Sequence, residues 1–146
     1  MRIDDIMAEW EKDATIDKVD LDTESLKIPN IHAKWLKILS GERQKLRALE
    51  IKKKSLNNTL HEYYSGDLNN PEDLAIIKRE PWGKKVLRGD IPGYIDADKD
   101  MIDTNLRISY QSETVDVCSE ILKSINGRQW NIRGAIDWRK LVNFGQ

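Results

Sequence analysis

Few residues of the chain have the types and spacing that catalysis or metal binding requires. His32 and His61 are far apart and no HExxH pattern occurs, so a zinc hydrolase is not expected. Cys118 is the single cysteine, which excludes an internal disulfide and a CxxC pair. The sequence also lacks the GxxxxGKS or GxxxxGKT pattern of a phosphate-binding loop for ATP.

The acids between Asp96 and Asp100 imitate the start of an EF-hand calcium loop. The sixth loop position holds Met101 where the turn needs glycine, and the twelfth holds Arg107 where the loop needs glutamate. A simpler explanation is that these acids favour the positive dipole end of a helix that begins there. We therefore predict a protein that is not an enzyme and that needs no metal ion or other cofactor.

The charges of the chain are strongly segregated, although its net charge is only −1. Residues 1–25 contain nine acids and three bases, whereas residues 34–54 contain eight bases and two acids. Such asymmetry is typical of a polyanion-binding surface or of an electrostatic partner interface. The alternative is a solvated helix face with no specific partner.

Six bases of the positive stretch are candidate DNA-binding residues, because a ridge of cations on a helix can follow a phosphate backbone without reading bases. They are Arg43, Lys45, Arg47, Lys52, Lys53 and Lys54. Tyr64 follows them, and an exposed ring there could stack on an unpaired base, with core packing as the alternative. We expect Tyr63, Trp35 and Trp138 to be packed, and Trp82 to be exposed in a Pro/Gly-rich loop.

The residue patterns predict an all-α protein with a single domain over residues 1–146. Residues 1–30 form an acidic N-terminal segment, with a short amphipathic helix followed by irregular chain up to Pro29. Residues 31–66 form a long basic helix with a heptad-like stripe from Trp35 to Tyr63. A polar, Pro/Gly-rich connection over 67–96 leads to a second long helix over 97–127, which Gly127 ends. A last helix follows over 130–146.

The predicted central helix is long for a chain of this size. About 34 residues at about 1.5 Å per residue give about 50 Å, whereas a compact sphere of this length would be about 38 Å across. We therefore expect an elongated subunit, with the central helix packed against the second long helix, or a subunit completed by neighbours. No apolar run approaches the roughly 18 residues of a membrane span, so no membrane association is expected.

Several segments of the chain occur in a recognisable order. They are Met1-Arg2-Ile3-Asp4-Asp5, Lys34-Trp35-Leu36, Lys53-Lys54, Tyr63-Tyr64-Ser65-Gly66, Ala97-Asp98-Lys99-Asp100 and Asp116-Val117-Cys118-Ser119. In this order and at this spacing they resemble the UvsY family, the recombination mediators of T-even-type bacteriophages. The resemblance covers nearly the whole chain.

The resemblance implies a non-enzymatic helical protein of the infected bacterial host's cytoplasm that forms a hexameric or heptameric ring. It implies binding to single-stranded DNA, to a UvsX-type recombinase and to the phage single-stranded DNA-binding protein, which together let the recombinase load. It also ties the C-terminal helix to oligomerisation, which suits an apolar arc that includes Ile136, Trp138, Leu141 and Val142. The alternative function is a helical scaffold or adaptor that assembles through the heptad stripe and does not bind DNA.

The chain departs from the family at the basic pair that contacts DNA a few residues before Tyr63. Asn58 and Leu60 occupy the matching positions, and neither is basic. Leu60 also belongs to the apolar stripe, so we expect it to be packed. We predict that DNA contact has moved N-terminally to the six bases, and that weak contact by each subunit is multiplied by the ring.

Overall fold

The computed structural model describes residues 1–144, and within this range the chain forms helices and no strand. The helices are α1 (Ile3–Ala14), α2 (Leu21–Ser65), α3 (Pro71–Ile76), α4 (Ile91–Asp96) and α5 (Lys99–Phe144), and a short 3-10 turn at Arg88–Asp90 precedes α4. The predicted all-α class with two long helices is confirmed. The chain divides into two compact units: Met1–Gln44 with the chain from Gln111 onward, and Lys45–Tyr110.

The long helix α2 begins ten residues earlier than expected, so the prediction of irregular chain up to Pro29 is wrong. Asp20 starts the helix, because its carboxylate accepts hydrogen bonds from the backbone N–H and the hydroxyl of Thr23. Leu21 is buried and Ile28 is half-buried, so the apolar stripe extends through the proline. The packing along this face offsets the free-energy cost of the backbone hydrogen bond that Pro29 cannot donate.

The predicted break at Gly127 is also wrong, because α5 continues through this residue to Phe144. Ile125, Arg128 and Ile132 are all buried at helical spacing, so the packed face crosses the glycine without interruption. A glycine within a helix costs only about 1 kcal/mol relative to alanine, which such packing readily offsets. By contrast, Gly66 ends α2 as expected, with a φ of 86° that suits glycine.

The core of the first unit lies where α1 packs on the first part of α2 and on the middle of α5. Ile6, Trp35 and Cys118 are fully buried there, as expected for Trp35. The ring of Trp10 meets the ring of Trp35 edge to face, with 5.9 Å between centroids. Burial raises the pKa of the Cys118 thiol, so this cysteine is a packing residue.

Arg128 on α5 fastens the end of α1 from within this unit. Its buried guanidinium donates hydrogen bonds to the backbone carbonyls of Asp13, Ala14 and Thr15. Glu24 lies 3.8 Å from the same guanidinium and balances its charge. A cation is well placed there, because the last carbonyls of a helix form its negative end.

The core of the second unit gathers the end of α2, α3, α4 and the start of α5. Leu60, at 1% exposure, and Tyr63, at 7%, are buried as the stripe predicted. They pack in one cluster with Leu74, Ile91 and Met101.

Candidate nucleic-acid interface

The basic face of α2 in the second unit is solvent-exposed. Lys45, Arg47, Lys52, Lys53 and Lys54 are all exposed, whereas the stripe residues beside them are half-buried or buried. Lys45 has an interaction within the chain. Arg43 is exposed on the same helix but belongs to the first unit.

Three of these cations line one open depression of about 750 Å³ on the second unit. Its lining residues are Arg47, Glu50, Ile51, Lys53, Lys54, Asn57 and Asn58. Three cations oppose one carboxylate, so the depression is positive. Arg47, Lys53 and Lys54 form no ion pair within residues 1–144. The depression therefore presents charged N–H groups that an anionic backbone can bind.

The two asparagines of the depression were not predicted as site residues. Asn57 and Asn58 lie three and four positions after Lys54, so a 3–4 spacing on the same helix was the available signal. Their amides can hydrogen-bond phosphate oxygens, although they carry no charge. Of the two positions at which the resemblance implies a basic residue, Asn58 is exposed and Leu60 is core.

The prediction that Tyr64 offers an exposed ring for base stacking is wrong. Tyr64 is 8% exposed, and its hydroxyl donates a 2.6 Å hydrogen bond to Asp98. Burial and this bond raise the pKa of the Tyr64 hydroxyl. The ring of Tyr64 packs edge to face on Trp82. Trp82 was expected to be exposed, but it is half-buried.

Asp98 holds this part of the second unit together. Arg79 donates two hydrogen bonds to its carboxylate, at 2.7 and 2.8 Å, and the same guanidinium bonds Asp100 at 2.7 Å. Burial alone would raise the pKa of Asp98, but the hydrogen bonds from Arg79 and Tyr64 outweigh burial and lower the pKa to about 2. Asp98 and Asp100, which imitate a calcium loop in the sequence, are thus held by an arginine. The described residues contain no cluster of acids, histidines and cysteine suited to a metal ion.

Part of the segregated charge is neutralised within the first unit. The ammonium of Lys34 lies 2.7 Å from carboxylate oxygens of both Glu9 and Asp13. Burial alone would lower the pKa of Lys34, but these bonds outweigh burial and raise it. Lys34 therefore anchors the acidic N-terminal segment and does not extend the basic face.

The C-terminal part of α5 exposes large apolar side chains. Trp138, which was expected to be packed, is 66% exposed, so it is not packed within its own chain. Leu141 and Val142 are also exposed, whereas Ile136 is half-buried. Trp130 and Phe144, which were not predicted as assembly residues, are exposed as well. Clustered exposed apolar side chains are typical of an interaction surface.

No helix within the described residues is both long and apolar enough to cross a membrane. The described residues thus form a helical protein with a positive depression on α2 and an exposed apolar end of α5.

Residues 9–145 match the family described as "Recombination, repair and ssDNA binding protein UvsY". The chain belongs to this UvsY family, which is a family of DNA-binding recombination proteins and not one of known enzymes. This confirms the resemblance read from the sequence.

Similar proteins include the recombination protein uvsY of Enterobacteria phage T4, which is 27% identical over 139 residues, covering 95% of this chain and 96% of the relative. Two crystal structures of the bacteriophage T4 recombination mediator protein UvsY are similar in fold. Lattice type IV gives a TM-score of 0.84 at 26% identity over 97% of this chain and 99% of that chain. Lattice type II gives 0.82 at 26% identity over 98% of each chain.

Proposed function

We propose that this protein is a recombination mediator that binds single-stranded DNA as a ring-shaped homo-oligomer, a hexamer or heptamer. In the host cytoplasm, it loads a UvsX-type recombinase onto DNA that the phage single-stranded DNA-binding protein covers. Family membership supports the role in recombination, and the similarity to the recombination mediator protein UvsY of bacteriophage T4 supports the loading step.

The observation that carries DNA binding is the positive depression on α2. Arg47, Lys53 and Lys54 present three charged donors along about 11 Å of helix, at about 1.5 Å per residue. Phosphates of a flexible strand can adapt to such a row, because this contact does not read base identity. Lys52 is exposed outside the lining and adds to the positive potential of the second unit.

The contact by one subunit is small, so the oligomer is part of the proposal. A few phosphate contacts give weak binding at physiological salt, and linking several such sites raises the overall affinity without any new contact. The exposed apolar end of α5, with Trp138, Leu141 and Val142, supports the assembly.

The test replaces Arg47, Lys53 and Lys54 with alanine and measures binding to labelled single-stranded oligonucleotides across a salt series. Loss of three phosphate contacts should reduce the slope of log affinity against log salt by about 2 units per subunit, at about 0.7 per contact. Alanine favours helix, so α2 should stay folded.

The matched control replaces Lys85, Arg88 and Lys99, which are exposed in the same unit away from the depression. It removes the same charge and should leave the slope almost unchanged. Equal losses in both variants would mean that only net charge matters. If the unmodified protein shows no salt-dependent binding, the non-DNA-binding scaffold is the better description.

A further inference from the structure

The first unit carries an open groove with an apolar floor between α1 and α5. Its volume is about 330 Å³, and Met7, Trp10 and Val117 line the floor. Met7 is 47% exposed, and the other two side chains are half-buried. None of the three lines the depression on α2 or belongs to the apolar end of α5. The function proposed above therefore gives this groove no role.

Carboxylates border the groove on both helices. Three acids of α5 line it, and no base is among the lining residues: Glu113, Asp116 and Glu120. On α1, Asp4 lies three positions before Met7 and Glu11 lies four positions after it, which places both beside Met7 on the helix surface. All five acids are exposed. This groove is called the acidic groove below.

Most of these charges have no partner within the chain. Four of the five acids form no ion pair with any residue in 1–144. The exception is Glu120, whose carboxylate lies 3.1 Å from the ammonium of Lys123. By contrast, Glu9 and Asp13 on α1 are held by Lys34. The border of the acidic groove therefore offers carboxylates to cations from outside the chain.

The shape of the acidic groove suits a helix. Its lining on α5 runs from Glu113 to Ser124, which is about 16 Å or about three helical turns at about 1.5 Å per residue. A third helix can lay its apolar face along a groove of this kind, with anchors one turn apart. Met7 and Trp10 suit such anchors, because a thioether adapts to irregular partners and an indole gives a large apolar contact.

The basic helical segments of this chain have other places in the structure and in the proposed function. The bases of α2 face DNA in that proposal, and α2 itself packs on α1 and α5 within the first unit. The positive end of α5 continues the same uninterrupted helix that carries Val117, and in the proposed ring it joins copies of the chain. The occupant of the acidic groove must therefore come from a different protein.

We infer that the acidic groove binds a basic amphipathic helix of a partner protein that is not a second copy of this chain. Apolar side chains of the partner helix cover Met7 and Trp10, and its lysines and arginines meet Glu113 and Asp116. The opposite charges fix the orientation of the helix and speed the encounter. The inference goes beyond the proposed function, because neither DNA binding nor the ring depends on this contact.

The test measures binding of a dye-labelled synthetic peptide of leucine and lysine, about 14 residues long, with its leucines on one face of a helix. Fluorescence anisotropy gives the affinity across a salt series. Glu113→Gln with Asp116→Asn makes the groove variant, in which two charges are lost and the side-chain sizes are kept. Its affinity for the peptide should fall about tenfold, because two exposed ion pairs are lost. The affinity should also depend less on salt.

The matched control is Glu62→Gln with Asp67→Asn. Both acids are exposed in the second unit and form no ion pair within residues 1–144, so this variant loses the same charge away from the acidic groove. Its affinity for the peptide should stay unchanged. Circular dichroism checks that both variants are folded.

A third variant, Met7→Gln, separates the apolar floor from the charges. It leaves every carboxylate in place, and the side chain is half-exposed, so the fold should persist. The affinity for the peptide should fall about fivefold, because the partner helix no longer covers an apolar side chain there. A peptide of the same composition with its leucines scattered around the helix should bind the unmodified protein more weakly. Binding of the amphipathic peptide should slow hydrogen exchange in α1 and over residues 113–124.

Native mass measurement separates a partner site from a contact between copies. The groove variant should keep the mass of the unmodified protein, and a fall in its mass would overturn the inference, because the groove would then join copies of this chain. The inference also fails if the unmodified protein does not bind the amphipathic peptide. Equal affinities of the groove variant and the control, or an unchanged affinity of Met7→Gln, would overturn it too. No DNA is present in these measurements, so either result leaves the proposal for the depression on α2 to its own test.

Discussion

Replacing Asp98 with asparagine should destabilise the second unit far more than the same change at Asp100. Both carboxylates accept hydrogen bonds from Arg79, but the side chain of Asp98 is 3% exposed and that of Asp100 is 59% exposed. Each variant therefore removes one negatively charged partner of Arg79. The partner is buried in the case of Asp98 and exposed in the case of Asp100.

The magnitude follows from the pKa of Asp98. A fall from 3.8 to about 2 on folding corresponds to about 2 kcal/mol of stability at neutral pH, at about 1.4 kcal/mol per pKa unit. Asp98→Asn also removes a negative charge that balances the guanidinium of Arg79. We therefore expect the free energy of unfolding to fall by about 3 kcal/mol in total. Asp100→Asn breaks an exposed pair and should cost less than about 1 kcal/mol.

The pH dependence has a defined sign. The pKa of Asp98 is lower in the folded state, so its contribution is fully present above the unfolded value of 3.8 and is lost as the pH falls towards about 2. The stability difference between the unmodified protein and Asp98→Asn should therefore shrink across this range. At higher pH it should stay constant.

Urea unfolding followed by circular dichroism at fixed protein concentration measures these differences, and hydrogen exchange over residues 71–96 reports the second unit directly. The reasoning is refuted if Asp98→Asn and Asp100→Asn cost the same, or if the difference for Asp98→Asn does not change between neutral and acidic pH.

Two further predictions concern aromatic residues. Tyr64→Phe should lower the free energy of unfolding by about 2 kcal/mol, because it removes a buried hydrogen bond to a carboxylate. The variant should keep the same affinity for oligonucleotides. A loss of affinity in a folded variant would contradict the burial of this ring. Trp138→Ala should dissociate the proposed oligomer, since an exposed indole that becomes buried contributes up to about 4 kcal/mol per contact for roughly 150 Å² of apolar surface. Native mass measurement tests this, with Leu87→Ala as the control at an exposed apolar residue of the second unit. An unchanged mass for Trp138→Ala would remove this residue from the assembly contact.

The sequence was sufficient for the helix class and for the packed face of α2. The stripe from Trp35 to Tyr63 identified buried positions correctly at Leu39 and Leu60 as well, because helical spacing is a local property. Gly66 marked the helix end for the same reason: its backbone conformation depends only on its neighbours.

What the sequence could not give depends on contacts between distant residues. Tyr64 looked available for stacking because its partner Asp98 lies 34 residues later in the chain. Pro29 and Gly127 were expected to mark helix boundaries, because local propensity disfavours both residues inside a helix. Local propensity contains no information about the tertiary packing that stabilises α2 and α5 across these residues. The depression on α2 was only partly predictable, since charge identified its cations and gave no weight to Asn57 and Asn58.

The hold of Arg128 on the end of α1 has a consequence for the acidic N-terminal segment. Freeing α1 would leave a buried guanidinium without its three carbonyl acceptors, so α1 cannot swing away as a tethered arm while the first unit stays intact. The exposed acids Asp4, Asp5 and Glu11 are therefore displayed on a fixed scaffold. Any basic partner must therefore dock on a rigid acidic surface. The segment lacks the reach and the adaptability that a flexible chain would have.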